Sequence, residues 1–115
     1  MATLTTQNVS LAGIVDVIAG LSTAAGGGDK VRPGPNVFLY VQNGDASSKT
    51  VTIDDPNSRT PVAAAAFNPD VAVVVAAGKE AMIGPITDRF ANSSDGLAAI
   101  TYSAVTAVKV GAFQV

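Results

Sequence analysis

The chain has no cysteine, no histidine and no tryptophan, and few of its 115 residues are charged. Without cysteine there are no disulfides, no thiol nucleophile and no thiolate metal site. Without histidine the commonest general base near neutral pH is missing, and so is the commonest nitrogen ligand for a metal. Two Tyr and four Phe are the whole aromatic complement, which leaves little to build a stacking platform for sugars. Seven Lys and Arg against nine Asp and Glu give a net charge of −2. The cations are scattered singly and form no basic stripe, so nucleic-acid binding is not expected. No apolar run is long enough for a membrane span, because Gly, Asp, Asn or Pro interrupts each one. The first ten residues, MATLTTQNVS, lack a basic region followed by an apolar core, so they are not expected to act as a secretory signal.

What the chain does have is Ala, Val and Thr. Val and Thr suit pleated, half-buried surfaces, which points to a mostly β protein. The length suits one domain with a modest core. Sparse surface charge favours association with a partner or with further copies of the chain.

The clearest stretch is residues 36–53, NVFLYVQNGDASSKTVTI. Val37, Leu39 and Val41 point one way along an extended chain, and Phe38, Tyr40 and Gln42 point the other. Two apolar faces predict a strand covered at least partly on both sides. Asn43-Gly44 stops it, since both residues tolerate positive φ. Residues 49–53 resume extended, with Val51 and Ile53 on one face and Thr50 and Thr52 on the other. The expectation is a hairpin with a heavy inner strand and a Thr-lined outer one.

Around it, residues 5–11 are expected to form a first strand, followed by an irregular segment with one helical turn. Leu11, Ile14, Val17, Ile18 and Leu21 could line a helix face, but Gly13 and Gly20 weaken that helix. Residues 24–35, AAGGGDKVRPGP, are loop by composition, as are residues 54–61. Residues 62–67 are Ala-rich and ambiguous. Residues 71–75 and 79–83 read as strands, and residues 86–90 as a short extended or turn segment. Residues 97–102 and 105–110 form a second expected hairpin, with residues 112–115 extending it beyond a kink at Gly111. Short strands between turn residues predict an all-β fold: a single antiparallel β-sandwich, jelly-roll-like, with a short N-terminal arm. The division is residues 1–25 as arm and first strands, and residues 26–115 as the sandwich.

Chemistry has few places to reside. The nine acids sit mostly in loops, where Asp serves turns, and no pair stands out as a glycosidase acid and nucleophile. Asp54-Asp55-Pro56-Asn57 offers oxygen ligands for calcium but lacks EF-hand spacing. Residues 25–30, AGGGDK, faintly resemble a phosphate loop without its spacing or its following helix. Asn8-Val9-Ser10 and Asn92-Ser93-Ser94 match glycosylation acceptors as common turn sequences do. No catalytic residue, metal site or cofactor is expected, and the chain is not expected to be an enzyme. Arg89-Phe90, beside the rigid turn at Gly84-Pro85, reads either as an interface anchor or as a core Phe with a solvated Arg. Thr5, Thr6 and Val9 are the other candidate contacts. Residues 1–10 either cross a neighbouring subunit by strand addition, with residues 26–28 as hinge, or pair at home as an edge strand.

Several segments together carry a resemblance. They are Gly27-Gly28-Asp29, then residues 38–44 (FLYVQNG) and 50–53 (TVTI), followed by Ala77-Gly78, Ile83-Gly84-Pro85, Arg89-Phe90, Gly96 and residues 100–106 (ITYSAVT). Over residues 26–115 the chain resembles small proteins encoded beside the major capsid protein in tailed-phage structural operons, the capsid decoration or cement proteins. Where that family often has Phe after Ile-Gly-Pro, this chain has Ile86, so no aromatic role is carried to that position. The resemblance implies a structural protein of the virion, made in the host cytoplasm. It would decorate the capsid surface and bind the major capsid protein, as a homo-oligomer, without nucleic acid or membrane. The alternatives are a head–tail joining or tail component and, from another class, a carbohydrate-binding β-sandwich module.

Overall fold

A computed structural model describes residues 2–56 and 70–115, so the expectations for residues 57–69, including the Ala-rich stretch, lie outside the described residues. The described strands are β1 (Ala2–Thr3), β2 (Thr6–Asn8), β3 (Ser22–Thr23), β4 (Asp29–Val31), β5 (Val37–Asn43), β6 (Lys49–Ile53), β7 (Val71–Val75), β8 (Glu80–Ile83), β9 (Ala98–Tyr102) and β10 (Val108–Gln114). They form an all-β sandwich. Sheet A runs β1-β4-β9-β6-β7 and sheet B runs β2-β10-β5-β8. One edge of β10 is taken along its whole length by β5; β3 and β2 share the other edge at successive positions. The ladders are antiparallel except for two, β1 with β4 and β2 with β10, which are parallel.

Strand alternation builds the core. In β5, Val37, Leu39, Val41 and Asn43 are buried and the residues between them are half-buried, as two apolar faces require. β6 repeats the pattern with Val51 and Ile53 inside and Thr50 and Thr52 outside. Val31, Ile100, Ala98, Val108, Val110 and Ala112 complete the packing from their strands. The two sheets differ on their outer faces. Sheet A carries Thr, Ala and one exposed Val74 on its outer face, whereas sheet B carries Phe38, Tyr40, Met82 and Phe113.

Both expected hairpins are corrected. β5 and β6 lie in different sheets, and so do β9 and β10. Periodicity fixes which face of a strand is apolar, but not which sheet the next strand joins. A polar connection such as residues 44–48 is long enough to cross the roughly 10 Å between packed sheets. β7 and β8 are likewise joined by a crossing connection. Lys49, at the foot of one crossing, is 5% exposed and pairs with Asp45 at 2.5 Å and the Ser47 hydroxyl at 2.7 Å. Hydrogen bonds from Lys49, the Ala46 backbone and Ser47 hold the Asp45 carboxyl down at about 2, so Asp45 keeps its negative charge down to strongly acid conditions.

Other local expectations shift for physical reasons. The loop at residues 24–35 contains β4, because Asp29 is 1% exposed and its carboxylate accepts from the Tyr102 hydroxyl at 2.7 Å and the Ala25 amide at 3.2 Å. Residues 86–90 hold a 3-10 turn, Asp88–Phe90. Gly111 does not break β10: a Cβ there would lie 2.7 Å from Leu21 Cδ2, so the glycine makes room for a side chain laid across the sheet. Gly84 is similarly committed, since a Cβ would meet Phe38 Cβ at 2.7 Å, where the chain passes against β5.

The first residues pair at home. Ala2–Thr3 adds to sheet A and Thr6–Asn8 to sheet B, with Leu4 between them 7% exposed in the core. Of the expected single strand over residues 5–11, only Thr6–Asn8 is strand, ending before Val9, and a second short strand, Ala2–Thr3, precedes it in the other sheet.

Candidate functional site

Between β2 and β3 the chain leaves the edge of sheet B, folds over its outer face and returns. The Gln7 side-chain amide donates to the Gly20 carbonyl at 3.1 Å and closes the base of this excursion. Within it the backbone bonds are local: Gly13 N–H donates to Ser10, Gly20 N–H to Val17 and Leu21 N–H to Ile18. Gly13 and Asp16 take positive φ, at 76° and 69°, and a 3-10 turn spans Ile18–Gly20. This is a compact surface loop with its ends together, of a kind that often carries function. Its apolar residues follow no helical or strand period because they have two jobs. Val9, Ile14 and Val17 face the sheet and, with it, line a groove; Leu11 and Val15 face solvent and are 110% and 90% exposed.

The groove has a volume of about 340 Å³. Its floor is Phe38, Tyr40 and Phe113, with the two Phe rings stacked at 5.7 Å between centroids. On the side away from the loop stands Met82 of the edge strand β8, which is 71% exposed. Among the described residues, seven large apolar side chains are exposed, and all but Val74 belong to the loop or line this groove. Exposed apolar side chains occurring singly need no explanation, but a concentration on one face marks an interaction surface.

The candidate contacts from sequence fall in different places. Val9 is 36% exposed and lines the groove. Thr6 is half-buried in β2, and Thr5 is exposed between β1 and β2. Phe90 is 4% exposed and belongs to the core, which corrects its candidacy as a surface anchor. Arg89 lies over the Phe90 ring at 4.4 Å from its centroid and reaches Asp55 at 3.6 Å, away from the groove. Sequence reasoning missed Ile14, Val17, Met82 and Phe113. The signals present were the second apolar face of residues 38–42 and the aperiodic apolar residues between Gly13 and Gly20.

Reactive groups are not gathered here. Among the described residues no group of three or more metal-ligating side chains is placed to hold an ion. The glycine triplet leads into β4, where Asp29 faces inward and Lys30 pairs with Asp95 at 2.5 Å. A phosphate would meet carboxylates there. The nearest thing to an acid cluster is Asp54, Asp55 and Asp70. The Asp70 carboxylate accepts from the Asp55 amide at 2.7 Å. Burial first, then Asp70 and Asp55, raise the Asp54 carboxyl above its ordinary value. A raised acid favours the fold below its unfolded value, near 4, and that contribution is lost as pH rises through the folded value. Asp54→Asn is therefore expected to raise the melting temperature at pH 7 and to leave it unchanged at pH 3. Equal shifts at both pH values in thermal melts would show that ionisation of Asp54 is not the cause. The Tyr102 hydroxyl, pushed well up by burial and by its bond to Asp29, remains a protonated donor rather than a reactive group.

Comparison with protein-family models, with curated proteins and with solved structures finds no match to this chain.

Proposed function

We propose that the protein is a structural binding protein that acts by covering surface rather than by chemistry, and that it decorates and stabilises the capsid of a tailed phage. The observation that supports a binding role is the concentration of exposed apolar side chains around the sheet B groove. The capsid, as the place of action, comes from the sequence resemblance over residues 26–115. A decorating protein binds only the assembled shell and stabilises it by mass action. A sandwich with a committed apolar face and little surface charge suits that task. A head–tail joining or tail component would use the same physics at another position in the particle. The carbohydrate reading is disfavoured by the groove itself. Its floor offers aromatic rings, but among the lining residues only Tyr40 has a polar side chain, so sugar hydroxyls would lose water without finding partners.

On this reading a major capsid protein is encoded beside this gene, and the test is co-sedimentation with empty capsids assembled from it. The expected result is saturable binding and a higher temperature of capsid disruption when the protein is bound. Protein left in the supernatant at saturating concentration, with capsid stability unchanged, would overturn the capsid assignment.

A further inference from the structure

We infer that the occupant of the sheet B face is a second copy of this chain, packed face to face about a two-fold axis that runs along β5. The inference gives a second copy the face on which the binding proposal rests, so the capsid assignment then stands on the sequence resemblance alone; it is read without capsids, and the two can fail separately.

The strand register supports it. On the outer face of sheet B, Lys109 of β10 lies beside Gln42 of β5, which lies beside Glu80 of β8. The next row is Gly111, Tyr40, Met82. Lys109 and Glu80 are exposed, and among the described residues neither takes part in an ion pair. A cation and an anion thus flank a central strand on one row, with an uncharged amide between them. A two-fold along β5 exchanges the two sides of the sheet. It sets each Lys109 opposite the Glu80 of the other copy, twice, and Gln42 opposite Gln42. Such a self-complementary patch is what an isologous interface requires.

The apolar parts match under the same operation. The loop over residues 9–20 is anchored on the β10 side of the face, because it leaves from β2 and returns at β3, both on that edge. The β8 side is bare, with Met82 standing out of it. The two-fold carries the loop of one copy over the bare side of the other. Leu11, Val15 and Ile18, exposed on the loop, then lie toward the Met82 and Tyr40 side of the partner copy, and each groove is closed by the other chain.

The experiment is sedimentation equilibrium on the full chain and on two surface variants, Lys109→Glu and Glu80→Lys. The wild-type protein is expected to be a dimer. Each variant alone faces like charge with like charge at two places and should weaken dimerisation by about tenfold or more. Mixing the two variants pairs Glu with Lys at both contacts, so the mixture should form a heterodimer near wild-type affinity. Circular dichroism melts at low protein concentration, where all three chains are monomeric, should coincide, because both residues are exposed. A wild-type monomer at high micromolar concentration would overturn the inference. So would dimers indifferent to both reversals, or a mixture no more associated than its components.

Discussion

Deleting residues 1–10 is expected to cost more than about 3 kcal/mol of stability and to leave a chain that is marginal or unfolded at 37 °C. Three losses combine. Leu4, 7% exposed, leaves the core, and burying such a side chain is worth about 1.5–3 kcal/mol. The Leu4 amide bond to Lys30 at 2.7 Å and the Val9 amide bond to Gln114 at 2.8 Å disappear along with both parallel ladders. The edge of β4 and the part of the β10 edge from Ala112 to Gln114 are then left unpaired, and the loop over the groove loses its Gln7 closure. Urea unfolding of the truncated and full-length chains measures the difference. A truncated chain that unfolds at the same urea concentration as the full chain would show that these strands are not part of the folding unit. Strand addition to a neighbour would then regain its place as the role of this segment.

That segment shows where sequence is a good guide and where it stops. The burial of β5 on both faces and the Thr-lined outside of β6 were legible because alternation is a local property of consecutive residues. The overall class followed from Val, Thr and the spacing of turn residues. Pairing is not local. Nothing in residues 36–53 distinguishes a hairpin from a crossing between sheets, because both need a polar connection between two alternating runs. Parallel pairing of Thr6–Asn8 with the end of the chain joins residues more than a hundred positions apart, and three residues carry too little pattern to announce it. The groove was partly legible: Phe38 and Tyr40 had to face something, and residues 11–21 were apolar without a period. That they meet follows from β2 and β3 flanking the same edge of β10. Phe90 failed as a surface anchor because an aromatic beside a charge is as common at the rim of a core as in an interface.

The side chain of Asn43 is expected to matter as much as any apolar residue, and its chemistry makes the effect diagnostic. Asn43 is 1% exposed at the end of β5. Its side-chain amide donates to the Ser47 carbonyl at 2.9 Å and the Val75 carbonyl at 3.0 Å, with the Ala76 carbonyl at 3.3 Å. Its Oδ1 accepts from the Asp45 amide at 3.1 Å. Its own backbone N–H reaches Lys79 at 2.9 Å, and the next amide, of Gly44, reaches Ala107 at 2.9 Å. One residue pair therefore ties together three of the connections that cross between the sheets at this end of the sandwich, β5 to β6, β7 to β8 and β9 to β10. Asn43→Ala leaves buried carbonyls without donors and should cost about 1–3 kcal/mol. Asn43→Asp keeps the shape but turns a donor into a buried anion aimed at carbonyl oxygens. It should cost about 3–5 kcal/mol at pH 7, the range seen for an uncompensated buried charge. The introduced carboxyl would have a folded pKa raised above about 4, so its penalty is absent below the unfolded value and grows as pH rises through the folded one. Urea unfolding at pH 7 and pH 3, each compared with wild type at the same pH, should show the Asn43→Asp deficit shrinking on acidification while that of Asn43→Ala stays constant. A deficit of equal size at both pH values would mean that the lost donated bonds alone, rather than a buried charge, set the cost of Asn43→Asp.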